Sequence, residues 1–231
     1  MLNKVLIIVV SLGMLFLCCF LPFVITSATE GESISYVIKP LGGRAVYTDL
    51  GMAELEGERM RLMTFSTDVI GFKDTEKVYS YPDNLLPRRV ERDVSWWFGK
   101  EHIIEEYDQK NFTVTIRKFK NNKKVDEQVL QGDGPIYNVI LLPFYPRIIS
   151  NLDIGWSFTF RLPQKFEAKL ISIDEIKIND VKRNAYHFTS DPDKFEIWVS
   201  KDNVRLPLKI KGKGGFNYSL LMKEYHSKSE K

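Results

Sequence analysis

Along most of the chain, apolar and polar side chains alternate one for one. Trp156, Phe158, Phe160 and Leu162 alternate with Ser157, Thr159 and Arg161, the period of a strand that turns one face to a core. The same period runs through Phe112, Val114 and Ile116, through Phe195, Ile197 and Val199, and through Phe216, Tyr218, Leu220 and Met222. Turn-forming groups separate these runs: Leu41-Gly42-Gly43, Phe98-Gly99-Lys100, Lys120-Asn121-Asn122-Lys123, Asn179-Asp180, Lys201-Asp202-Asn203 and Gly212-Lys213-Gly214-Gly215. Connections this short join antiparallel neighbours, because a parallel pair needs a much longer crossover. The pattern predicts about a dozen strands, more than one flat open sheet comfortably holds. The expected fold is therefore mainly β, a curved antiparallel sheet or half-open barrel.

One internal stretch breaks the alternation. From Gly134 to Ile149 the side chains are almost all apolar, with Pro135, Pro143 and Pro146 among them. Asp133 is placed to cap a helix and Pro135 suits a first turn. Pro143 and Pro146 then stop or kink it, so a short helix over Pro135–Leu142 is expected. With no polar face it has to be buried, and the concave side of the sheet is the place for such a plug. Ile140, Leu141, Phe144 and Tyr145 are the candidate lining of any pocket there.

The opening of the chain decides the expected compartment. Lys4 is the only charge before Glu30, and Val5 to Ile25 is nearly uninterrupted apolar side chain. Thr26-Ser27-Ala28 ends this stretch with small residues suited to a signal peptidase, which places a cut after Ala28. The stretch is also long enough to span a bilayer, so a retained anchor is the alternative, against which Pro22 speaks. The chain is thus read as a signal peptide or membrane anchor over 1–28 and a single β-rich exported domain over 29–231. That domain is expected in the periplasm or at the outer face of the inner membrane. Cys18 and Cys19 lie inside the export segment, so a cleaved domain forms no disulfide. Lipid attachment is disfavoured, because Leu17 precedes Cys18 and Cys18 precedes Cys19 where a small residue is wanted.

Charge excludes one class of partner. The formal charge of +3 falls to +2 without Lys4, and charges of both signs are interleaved. The one dense basic run, Arg117 to Lys124, contains Asn121-Asn122 and reads as a hairpin tip. A nucleic-acid binder would need a strongly basic face, so no nucleic acid is expected.

Candidate chemistry is sparse. His102, His187 and His226 are far apart, and His102 and Glu105 point to opposite faces if their segment is a strand. Neither a metal nor another cofactor is expected. Glu105, Glu106 and Asp108 invite an acid–base reading, but Glu105 and Glu106 point apart on a strand. Arg88, Arg89 and Arg92 are natural cross-strand partners if Gly99-Lys100 is the hairpin turn. No nucleophile elbow, phosphate loop or dinucleotide fingerprint is present, so no catalytic residue is assigned and an enzyme is not expected. Adjacent Trp96 and Trp97 must face opposite sides of a strand. One suits the core, and the other suits an aromatic contact with a lipid or protein ligand.

Leu86-Pro87-Arg88-Arg89, Tyr107-Asp108, the apolar segment after Asp133, Trp198-Val199-Ser200 and Arg205-Leu206-Pro207-Leu208-Lys209-Ile210 carry a resemblance. Together they resemble the bacterial exported family known as domain of unknown function 3108, from about Ser35 to Tyr225. This chain departs from that pattern at Tyr47, where the family usually has a glycine four residues before the one matched by Gly51. The resemblance implies an exported envelope protein similar to the LolA and LolB lipoprotein carriers, with a curved sheet around a helical plug and no assigned catalytic residue.

Three functions follow in order of expectation. The first is a non-catalytic envelope protein that binds a lipid, another hydrophobic ligand or a lipidated protein in the hollow of the sheet. The second is a structural or adaptor module that docks on an envelope protein partner through a sheet edge or the Trp96-Trp97 strand. The third is a hydrolase. An open apolar cavity favours the first, a filled interior the second, and a cleft lined by clustered carboxylates the third.

Overall fold

The computed structural model describes residues 31–213 and 217–227. The expected export segment with Cys18, Cys19 and the cut after Ala28 lies outside the described residues, as does Phe216.

Fourteen strands form in the described chain: β1 (Ser33–Lys39), β2 (Arg44–Leu55), β3 (Glu58–Val69), β4 (Phe72–Ser80), β5 (Pro87–Trp96), β6 (Gly99–Asp108), β7 (Thr113–Lys120), β8 (Lys123–Gln131), β9 (Ser157–Arg161), β10 (Lys165–Ile178), β11 (Val181–Asp191), β12 (Phe195–Ser200), β13 (Pro207–Gly212) and β14 (Tyr218–His226). They make one antiparallel sheet in the order β8-β7-β6-β5-β4-β3-β2-β1-β14-β13-β12-β11-β10-β9. Every neighbouring pair is consecutive in sequence except β1 with β14, which joins Ser33–Lys39 to Ser219–His226. The sheet curls without closing, leaving β8 and β9 as its two edges.

Curvature has local causes. The register shifts between Asp49 and Gly51 on β2 and between Leu170 and Ser172 on β10. Such bulges add a residue to one strand, bend it and increase its twist. The bulged Leu50 and Ile171 stay exposed.

Residues 132–156 connect the two edge strands and cross the concave side. Their centre is a 3-10 helix, Leu142–Ile148, here called the plug helix. Leu141, Leu142, Phe144 and Tyr145 join Ile34, Tyr36 and Val78 of the sheet in one hydrophobic core. Burial follows from composition, since this connection has no polar face.

Several local expectations are corrected. The helix does not span Pro135–Leu142; it starts where that expectation ends. Pro143 sits in its first turn and Pro146 inside it, because a 3-10 helix this short loses little when a proline donor is missing. Asp133 caps no helix and pairs instead with Arg161. Phe112 is a turn residue with a positive φ, not the start of β7. Trp96 and Trp97 do not place one ring in the core: β5 ends at Trp96, the turn is Trp97-Phe98, and Trp96 pairs with Gly99. Tyr47 points inward and receives the plug, its ring stacked on Phe144 at 4.0 Å. Among the described residues no helix is long and apolar enough to cross a membrane.

Candidate functional site

The connection from β8 to β9 is held from both sides of the gap that it spans. On one side the Gln109 side chain, in the β6–β7 turn, accepts the Ile136 N–H at 3.1 Å and donates to the Ile136 carbonyl at 2.8 Å. On the other, Ile136 bridges Arg161 in parallel and the Tyr137 N–H donates to the Arg161 carbonyl at 2.8 Å. These bonds hold Ile136 and Tyr137 along the β9 edge, which is why the helix starts later. The Asp133 carboxyl is held down to about 2 by hydrogen bonding to the Arg161 guanidinium.

Beyond this clasp, the plug helix is fixed at its far end. The Tyr145 hydroxyl donates to the Leu85 carbonyl at 2.9 Å. Arg147 Nη1 lies 2.8 Å from Glu32 Oε1, both side chains almost wholly buried. Arg205 donates to the carbonyls of Pro146 and Ile149, which a helix end leaves without internal partners.

Under the plug helix the apolar half of the interior is filled. An aromatic ladder, Trp156, Phe158, Phe160 and Phe166, stacks along β9 and into β10 with centroid spacings of 6.1, 6.0 and 5.6 Å. The space left between it and Leu142, Tyr145, Pro146 and Ile149 is about 30 Å³, room for little more than one water.

The other half holds an open cleft of about 310 Å³ between residues 136–139 and the concave face of β4 to β7. The sheet face carries Glu76, Arg92, Glu105 and Tyr107 on β4 to β6 beside Val114 and Ile116 on β7, with Ile116 directly opposite Glu105 in the ladder, and Ile136, Tyr137 and Leu162 close the cleft with apolar groups. Register explains the charged groups: Glu76 pairs with Arg92 and Val78 with Val90, so Glu76 shares the inward face with the core valines two residues on. Arg92 is engaged by Asp74, with Nε at 3.0 Å from both carboxylate oxygens, and reaches Glu76 at 3.5 Å. Glu105 accepts the Tyr107 hydroxyl at 2.5 Å.

Three carboxylates thus surround one guanidinium. Burial, partly offset by Arg92 and reinforced by Asp74 and Glu105, pushes the Glu76 carboxyl up to about 7. This cluster suits a ligand group that donates hydrogen bonds or carries positive charge, because acceptors outnumber cations. The cleft does bring carboxylates together, the feature that favours a hydrolase, but Asp74 and Glu76 are engaged by Arg92, and Glu105 by the Tyr107 hydroxyl, and the lining brings no serine, cysteine or histidine nucleophile. A larger hollow of about 540 Å³ at the β6–β7 turn is walled by polar surface groups such as Glu58, Arg88 and Lys110.

The raised Glu76 has a sign that can be tested. In the unfolded chain the carboxyl titrates near 4.5, so the folded state holds the extra proton and loses stability as pH rises from about 4.5 through about 7. Glu76→Gln, which resembles the protonated form, is expected to stabilise the domain by about 2 kcal/mol at pH 8 and by nothing at pH 4.5. Urea unfolding at the two pH values measures it; an equal gain at both would place the carboxyl outside the charged cluster.

Of the residues singled out in the sequence, Leu141, Phe144 and Tyr145 are core, Ile140 is half-buried, and only Tyr145 lines the small apolar space. Trp96 and Trp97 lie at a hairpin tip. Glu106 points outward to Arg117 and Arg89, and Asp108 accepts the Lys110 and Asn111 N–H groups of its own turn. His102 meets Asp93 at 2.8 Å, and among the described residues no group of metal-ligating side chains converges. His187 stacks on Trp198 at 4.1 Å, and the Trp198 indole N–H donates to Asp174 at 2.8 Å. Lys209 covers the same ring, a packed outer face of the Trp-Val-Ser segment. Sequence reasoning missed Glu76 and Arg92 as partners across an inward face. The alternation of Val78 and Val90 with their neighbours was the available signal.

No family model matches the chain, and no curated protein matches it. Among solved structures, the chain is similar to a β-barrel-like protein of domain of unknown function 1849 from Brucella abortus. The TM-score is 0.53 at 7% identity, over 87% of this chain and 99% of that one. At this identity the likeness concerns the fold alone: a mainly β, curved antiparallel sheet of barrel-like form.

Proposed function

We propose that the protein is a non-catalytic component of the bacterial cell envelope that takes an amphipathic ligand into the cleft between the plug and the sheet. The observation that carries this reading is the open cleft itself, which offers the apolar groups Val114, Ile116 and Tyr137 next to the carboxylates Glu76 and Glu105. An acyl or other apolar part lies against the former, and a hydrogen-bond-donating or cationic group meets the latter. The apolar N-terminal segment and the resemblance to exported family 3108 support a periplasmic or inner-membrane-attached location. A lipidated protein is a ligand of the same chemistry.

Mass spectrometry of lipids extracted from the natively purified protein, followed by titration with fluorescent acyl amines, tests it. Ile116→Trp, which fills the cleft from β7, is expected to weaken binding roughly tenfold while keeping a cooperative unfolding transition. A protein that carries no lipid and takes up no labelled acyl chain overturns the reading. A second reading, an adaptor that pairs through a sheet edge, is favoured by β8, whose side chains are nearly all exposed along Lys123–Gln131. Crosslinking from β8 to a partner protein, with no bound lipid, would select it.

A further inference from the structure

Consecutive hairpin tips meet along one end of the sheet. Gly43, with a φ of 102°, packs so closely on the β3–β4 tip that a Cβ would strike the Asp68 carbonyl oxygen. Phe72 then meets Trp96 edge to face at 5.5 Å, joining that tip to β5–β6. Lys120 Nζ lies 2.9 Å from Glu101, joining β5–β6 to β7–β8.

From this continuous rim Leu41, Ile70, Trp97 and Phe98 project into solvent, exposed by 59, 101, 88 and 77%. Single exposed apolar side chains are ordinary, but four at adjoining turn apices form a patch. Residues 39–44, 68–73, 95–101 and 118–124 also carry eight Lys and Arg side chains, against only Asp68 and Glu101. The turns at the opposite end of strands β2 to β7, residues 54–59, 81–86 and 108–113, hold five carboxylates and two basic side chains. None of the exposed large apolar side chains lies in these three turns, while Val181 and Val204 are exposed in the β10–β11 turn and the β12–β13 loop at that end.

We propose that this rim docks the barrel on the surface of an anionic phospholipid bilayer. Tryptophan and phenylalanine favour the headgroup boundary, where ring and backbone polar groups are both accommodated. Lysines spread around the tips match an extended negative plane, and each adds attraction that falls within a Debye length. Gly31, where the described chain begins, precedes β1, and the Pro40–Gly43 tip follows it at the other end of that strand. The rim also leads to the cleft: Phe72 and Trp96 share the concave face with Glu76 and Arg92, four residues along each strand, or about 13 Å. The docking surface itself does not depend on what the cleft binds.

The test uses the full chain, held in unlabelled carrier vesicles if its N-terminal segment keeps it there. It is mixed with vesicles of phosphatidylethanolamine and phosphatidylglycerol whose acyl chains are brominated. Capture of these vesicles and quenching of tryptophan emission are expected. Ile70→Ser, Trp97→Ser and Phe98→Ser together should reduce capture roughly tenfold with no change in unfolding midpoint, since these side chains leave the core untouched. Lys123→Glu with Lys124→Glu should lower capture to the level seen with phosphatidylcholine alone. A parent protein that ignores the vesicles, or a triple variant captured as well as the parent, overturns the proposal; the first outcome would assign the rim to a protein partner.

Discussion

Arg147→Met is expected to destabilise the domain by about 3–5 kcal/mol, because it leaves a buried carboxylate without its cation. Glu32 is 1% exposed, and its carboxylate meets Arg147 Nη1 at 2.8 Å and the Tyr225 hydroxyl at 3.4 Å. The substitution also removes the hydrogen bond from Arg147 Nε to the Arg205 carbonyl and the guanidinium 5.0 Å above the Phe144 ring. Both help hold the plug helix between β2 and the β12–β13 loop. Adding Glu32→Gln should recover most of the loss, since a neutral pair leaves no bare charge inside. Chemical unfolding of the three variants measures this. Binding of an anilinonaphthalene dye to the folded single variant would report that the released plug uncovers the aromatic ladder of β9. A single variant as stable as the parent would mean that the ion pair is open to water.

Leu141→Asp is expected to abolish cooperative folding. Leu141 is 0% exposed and belongs to the main hydrophobic core. An unpaired charge there costs about 4 kcal/mol or more, a large part of the 5–15 kcal/mol that holds a typical domain together. Leu141→Ala, which only opens a cavity, should cost about 3 kcal/mol and leave a foldable protein on which ligand binding can still be read. Thermal and urea unfolding of both variants check the pair. A Leu141→Asp protein with the parent's transition would show that the plug detaches without cost to the barrel, and the fixed plug described above would be wrong.

Much of the architecture was legible because it depends on a period of two. The run Trp156 to Leu162 alternates in sequence, and its aromatic rings stack along one face of β9 for the same reason. The turn groups at Asn121-Asn122 and Asn179-Asp180 also lie at hairpin tips, and these four residues adopt positive φ. The apolar stretch after Gly134 was recognisable as interior because nothing in it could face water. Its helix was misplaced by local rules. Asp133 and Pro135 look like a helix start, but an arginine on a strand nearly thirty residues later takes the carboxylate, and Gln109 and the β9 edge take the backbone of Ile136.

The candidate site was the least legible part. Lys73-Asp74-Thr75-Glu76-Lys77 reads as a solvated hairpin arm, and the five residues carry four charges. Two of those, Asp74 and Glu76, face inward with Arg92. The turn expected at Phe98-Gly99-Lys100 lies at Trp97-Phe98, because Gly99 pairs with Trp96 in the ladder and tryptophan is not a usual turn former.

The sequence by itself determined the period of the strands, the short antiparallel connections, the buried nature of the one unalternating segment and the charge-poor apolar beginning. Each is a property of neighbouring residues, readable within a window of ten or so. Only the tertiary structure decided which half of the hollow is filled and which is open, that Glu76 and Glu105 share the inward face with Val114 and Ile116, and that apolar tips distant in the chain share one basic rim. Those outcomes depend on strand register and sheet curvature, where a shift of one residue would turn Asp74 and Glu76 outward and their neighbours in. The difference between solvent and interior for these side chains is set across the sheet, by partners that local sequence does not contain.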